Sequence, residues 1–160
     1  MNKSFALPLA AALALTGVAG TAIGDGHADK ALQSAISARK AQMQLVGFNT
    51  GLLGAMAKGE VPFDSAVATA AASNLAAVAK LDRSILWLEG SVQGTVEGTR
   101  AKAEIWSDPA GFDKAAVAME DAATTMITAA GTDLPALQAQ MKNLGTTCST
   151  CHKAYRGPKN

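Results

Sequence analysis

The chain has 160 residues, a formal charge of +1, 49% apolar residues, 4% aromatic residues and 2 cysteines. This length suits one domain, the apolar share excludes a disordered chain, and the near-neutral charge disfavours a nucleic-acid partner. Two cysteines cannot build the disulfide framework of a small secreted fold, and few aromatics among many alanines point to closely packed helices.

Residues 1–24 hold one positive residue, Lys3, an apolar run from Phe5 to Val18, and small residues at Ala22 and Gly24. That three-part pattern reads as a secretory signal peptide, cleaved after Gly24 or as late as Ala28. The apolar run approaches a spanning length, but Pro8 and the small-residue site favour removal, so no stable membrane insertion is expected afterwards. The mature chain, 25–160, is expected to be one domain in the periplasm.

Beyond the leader, apolar positions recur at alternating steps of four and three, the seam of a helix packed in a bundle. The first seam runs through Leu32, Ile36, Arg39, Met43, Val46, Thr50, Leu53 and Ala57. The second is read as Val67, Ala71, Asn74, Val78, Leu81, Ile85 and Leu88. Between them, Gly59 and Pro62 mark a turn, and Asp64 stands as an N-cap. From Glu89 to Ser107 the chain is punctuated by Gly90, Gly94 and Gly98. A link that long is expected to cross the bundle or cover a site.

Asp108-Pro109 opens the third helix, whose seam is Phe112, Ala116, Met119, Ala123, Met126 and Ala130, closed by Gly131. Asp133 and Pro135 start the fourth, with Leu134, Leu137, Met141, Leu144, Cys148, Cys151 and Tyr155 on its seam. No stretch alternates with period two. The expected fold is an all-α, antiparallel four-helix bundle. Two seam positions are polar: Asn74, expected as a satisfied group at a layer or bundle end, and Arg39, whose guanidinium on a core face calls for an anion.

The chemistry lies at Cys148-Ser149-Thr150-Cys151-His152. C-x-x-C-H is the attachment signal for a c-type haem, and on a helix positions 148, 151 and 152 fall on one face within a turn. Two thiols can then bond the haem edge while the imidazole reaches the iron from the same side. A thioredoxin-like dithiol needs a strand–helix context that is missing here. A zinc site needs a fourth ligand, and the other histidine, His27, sits beside the cleavage site. A structural disulfide has no use for His152. One haem c, covalent through Cys148 and Cys151, is the expected cofactor.

The run Cys148 to Arg156, with Gly145 upstream, resembles the class II cytochromes c, the cytochrome c′ family. Gly54 to Glu60, then Pro62-Phe63-Asp64, is similar to that family's link between its first two helices. Ile105-Trp106 followed by Phe112 is similar to its approach to the third. The resemblance implies an exported four-helix bundle with covalently bound haem in its core, thioethers at Cys148 and Cys151, and His152 as the proximal iron ligand. It also implies a basic residue, Arg156, beside that imidazole, and a pairing of Arg39 with a haem propionate. A snorkelling surface arginine is the alternative for Arg39.

In this family the residue one turn after Arg39 faces the distal side of the iron. It is a non-ligating apolar residue in the five-coordinate members and a ligating methionine in the low-spin branch. Here it is Met43, which the resemblance implies as the distal axial ligand, with core packing as the alternative. Met56, Met119, Met126 and Met141 read as core or flanking packing. Gly47, a turn further on, is expected to let the macrocycle approach the helix backbone.

The function so implied is a soluble one-electron carrier, not an enzyme, serving redox partner proteins with His152 and Met43 as axial ligands. The alternative is a five-coordinate cytochrome c′ binding nitric oxide or carbon monoxide at an open distal site. Residues 134–160 carry Lys142, Lys153, Arg156 and Lys159 and no acidic residue. That is a basic rim suited to an acidic partner, or an ordinary solvated face. A homodimer through the first two helices is expected, as family members often pair there, and Gly47, Gly51 and Gly54 would allow close helix contact.

Overall fold

A computed structural model describes residues 25–159, so the expected leader lies outside the described residues. In chain order the elements are α1 (Asp25–Ala57), α2 (Ser65–Ala79), the short α3 (Glu104–Ser107), α4 (Pro109–Thr132) and α5 (Leu134–Tyr155). The four long helices form the bundle, with α2 against α4, α4 against α5, and α1 against α2 and α5. Short links between α1 and α2, and between α4 and α5, make those neighbours antiparallel. Among the described residues no helix is long and apolar enough to cross a membrane.

The helix starts follow the acidic caps. Asp64 Oδ1 accepts from Ala66 N and Val67 N at 2.9 and 3.0 Å, Asp108 Oδ1 from Gly111 N at 3.0 Å, and Asp133 Oδ1 from Ala136 N at 2.8 Å. Each satisfies amides that the first helical turn leaves without an intrahelical partner. Gly131 does not close α4. That helix runs to Thr132, and Asp133, fully extended, ends it while capping α5.

The core is built from a few large side chains and many small ones. Leu53, Leu75, Met126, Leu137 and Leu144 are fully buried, among Ala68, Ala71, Ala72, Ala123 and Ala130. Alanines at the contact let α2 and α4 approach closely, which is why so few aromatics suffice.

The second seam departs from expectation. Val67 and Asn74 are exposed, while Ala68, Ala72 and Leu75 are buried, one position further round the helix. In an alanine-rich helix several registers look equally apolar, and the close packing of α2 against α4 selects the face with the smallest residues. The helix also stops at Ala79, because Asp82 Oδ1 accepts from Ser84 N at 2.8 Å and Ser84 Oγ at 2.7 Å in a local turn. Leu81 and Ile85 are therefore exposed rather than on a seam.

The long link does cross the bundle end and cover a site. Gly90, Gly94 and Gly98 have φ of 85°, 89° and 79°, the left-handed region that side chains resist. These turns carry Ser91 and Thr99 inward and bring residues 93–102 against the end of α5. There Gly157 N donates to Arg100 O at 2.7 Å and Lys102 N to Tyr155 O at 3.1 Å. A smaller core of Ala101, Ile105 and Phe112 packs with Trp87, Trp106 and Tyr155. Phe112 stands edge-on to both Trp87 (centroids 4.9 Å apart) and Tyr155 (5.3 Å).

Candidate haem site

Leu137 and Leu144 seat α5 in the core, and the next turns present Cys148, Cys151 and His152. All three are half-buried and belong to the wall of one largely apolar cleft. Met43 and Val46 of α1, Ala116 and Met119 of α4, and Trp87 of the link share that wall. The structure thus brings together four of the five residues singled out in the sequence. Arg39 does not touch the cleft itself.

Arg39 stands behind Trp87, with the guanidinium 4.5 Å from the ring centroid. It is only 5% exposed, so it is a core residue and not a snorkelling one. Nη1 donates to Ser91 Oγ at 2.7 Å, and Nη2 to Thr99 Oγ1 at 3.2 Å and Ser91 O at 3.5 Å. All these partners are neutral, and burial pushes the guanidinium below its usual pKa. A buried cation held only by neutral acceptors suits an incoming carboxylate.

Electrostatics suit the sulfur and nitrogen donors to a neutral role. Burial pushes both thiols up, more than the neighbouring Thr147 and Arg156 pull them down. Burial, then the charges of Arg156 and Arg100, push His152 down, so the imidazole is neutral at neutral pH with a lone pair to donate.

Two methionines reach the cleft, and they differ. Met119 Sδ lies 4.0 Å from Cys148 Sγ and 3.6 Å from Thr147 Oγ1, and its side chain packs on the main core. Met43 is 44% exposed and lies outside the packed core. Met56 and Met126 are buried and Met141 packs against the core, as expected. Gly47 is exposed and outside the cleft wall.

Sequence reasoning passed over Trp87, Ser91, Thr99, Arg100 and Arg83. Arg83 shares the cleft wall and is held by Asp113 (3.3 Å) and Glu120 of α4. All five lie between α2 and α3, where the seam read through Leu81, Ile85 and Leu88 does not form. The glycine punctuation was the one available signal.

The donor set fits a c-type haem: two neutral thiols and an imidazole on adjoining turns, a thioether on the same cleft, and apolar walls. The sequence profile of the family described as cytochrome C′ matches residues 34–156. The chain belongs to the cytochrome c′ family. Cytochrome c-554 of Cereibacter sphaeroides is 42% identical over 125 residues, covering 78% of this chain and 82% of that protein. The solved cytochrome c′ from Rhodobacter spheriodes superposes with a TM-score of 0.77 at 39% identity, over 80% of this chain and 98% of that one. A ferrous variant of cytochrome c prime from Alcaligenes xylosoxidans, with bound NO, gives 0.70 at 29% identity, over 80% and 97%.

Membership in the family implies a covalently bound c-type haem, and this chain carries the two cysteines for it. Cys148 and Cys151 would hold it through thioethers, with His152 beside them as the iron ligand. Denaturing gels stained for haem should show it migrating with the wild-type polypeptide. The Cys148→Ala/Cys151→Ala variant should lose all of that stain, because its haem would be held only by reversible contacts.

Proposed function

We propose that this chain is a periplasmic one-electron carrier whose haem iron is ligated by His152 and Met43. The observation that carries the reading is that Met43 and His152 share one cleft, with Met43 held out of the packed core. Bound haem c supplies an iron that alternates between the ferric and ferrous states. His152 gives a neutral nitrogen donor, and Met43 a soft, neutral thioether that favours ferrous iron and raises the reduction potential. The apolar wall excludes water, so little solvent rearranges when charge changes. Arg39, steadied by Trp87, Ser91 and Thr99 behind the cleft wall, is proposed as the partner of a propionate, which its buried charge without a carboxylate partner supports. The chain transforms no substrate in this role. The signal-peptide pattern of residues 1–24 supports export.

The second reading is gas binding, favoured by the NO-bound relative. It requires Met43 to leave the sixth position open. The oxidised visible and near-infrared spectrum of wild type beside Met43→Ala separates the two.

The carrier is proposed to pair with a second copy through α1 and α2. On α1, Leu45, Phe48 and Leu52 share a face and are 50%, 63% and 36% exposed, a run of apolar surface that invites cover. Sedimentation equilibrium should give a dimer for wild type and a monomer for Phe48→Glu. A wild-type monomer at high concentration would remove this idea.

A further inference from the structure

A second cleft, of about 550 Å³, opens to solvent along the last turns of the attachment helix, next to the first. It too includes His152 and Cys148, but its polar wall comes from Arg100, Lys153 and Arg156, with Gly157 and Pro158 of the tail. No aspartate or glutamate lines it. Each ion pair formed among the described residues joins other groups: Lys58–Glu60, Arg83 with Asp113 and Glu120, and Lys102–Glu104. Among the described residues, three cations therefore line one cleft with no aspartate or glutamate.

The cleft is built rather than accidental. Arg100 is fixed by Nε donating to Gly157 O at 2.8 Å, with Nη2 also on that oxygen. This holds the guanidinium plane against the tail, which is itself tied to the link through Gly157 N and Arg100 O. The carbonyls at the end of α5 would repel an anion, and three of them are already engaged. Lys102 Nζ donates to Ala154 O at 2.8 Å, Lys102 N to Tyr155 O, and Arg156 N to His152 O. The charged side chains that line the cleft are all cationic.

We propose that this cleft binds a small oxyanion, such as phosphate, beside the proximal histidine. The volume falls in the range of about 300–1,000 Å³ typical of small-molecule sites. Guanidinium groups present planar pairs of N–H donors matched to oxyanion edges, and Lys153 adds a compact charge. The cleft is shallow and open, with Lys153 and Arg156 exposed, so it suits a small ion that several side chains can reach at once. The site does not depend on whether Met43 binds the iron. Occupancy couples to the haem, because an anion near the iron stabilises the more positive ferric state. By reciprocity, a ligand preferred by the ferric form lowers the reduction potential.

The test uses the holoprotein and inorganic phosphate, with potassium chloride at matched ionic strength as the comparison. Calorimetry should show saturable phosphate binding, about tenfold tighter to the ferric than to the ferrous protein. That ratio corresponds to a fall of about 59 mV at saturation for a one-electron couple. Arg156→Gln/Lys153→Gln should weaken phosphate binding at least tenfold, and Arg156→Lys should restore part of it. Neither side chain ties down the tail, so Arg100 stays in place. Identical responses to phosphate and chloride would overturn the proposal and leave a basic rim that steers a protein partner. Saturable binding untouched by the double substitution would overturn it too, since the site would lie elsewhere. The wild-type comparison decides the first point even where the variant fails to fold.

Discussion

Met43→Ala is expected to convert the oxidised holoprotein from a low-spin to a high-spin spectrum and to abolish a sulfur-to-iron charge-transfer band in the near infrared. Met43 lines the cleft with His152, is 44% exposed and lies outside the packed core, so truncation should cost little stability. Its effect falls on the iron instead. Losing a soft donor that favours ferrous iron should lower the reduction potential by on the order of 100 mV, a modest share of the ~0.8 V that axial ligands span. Met119 should not substitute, because its sulfur sits at Cys148 Sγ and Thr147 Oγ1. The same variant should bind nitric oxide or carbon monoxide faster than wild type, with no thioether to displace. A wild-type spectrum that is already high-spin, and unchanged by the substitution, would make Met43 a wall residue and move the function to gas binding.

Leu144→Ala should be the most damaging single truncation near the site. Leu144 is fully buried in the main core, one turn before Cys148. Removing three heavy atoms there costs the transfer free energy and leaves a cavity, about 2–5 kcal/mol together. For a domain of this size that is roughly 10 °C in Tm, measured by thermal unfolding of the holoprotein. Val67→Ala is the control, since Val67 is 47% exposed and should change stability by less than about 0.5 kcal/mol. Equal losses at the two positions would contradict the observed register of α2. A small loss at Leu144 would show that α5 repacks freely, which would also loosen the placing of His152.

How much of this was legible beforehand varies from element to element. Asp64, Asp108 and Asp133 cap the helices where the sequence placed them, because capping is a contact within one turn. The seams of α1, α4 and α5 carry leucines, methionines and a phenylalanine that mark one face clearly. α2 is nearly uniform in alanine, so its register is set by close packing against α4: of the seam read from the sequence, Ala71 is buried but Val67 and Asn74 are exposed.

Cys148, Cys151 and His152 were readable because their chemistry needs three residues in fixed order on adjoining turns. Met43 was readable only through its offset from Arg39. The partners of Arg39 were not: Trp87, Ser91 and Thr99 come from an irregular link whose path depends on left-handed turns at Gly90, Gly94 and Gly98. The sequence by itself determined the presence of the four long helices, the caps of three of them and the attachment motif, all of which rest on neighbours within about four positions along the chain. Only the tertiary structure decided which side chains share a cleft, what holds the buried guanidinium, and where Arg100 meets Lys153 and Arg156. Those contacts join residues tens of positions apart, and no local periodicity encodes them.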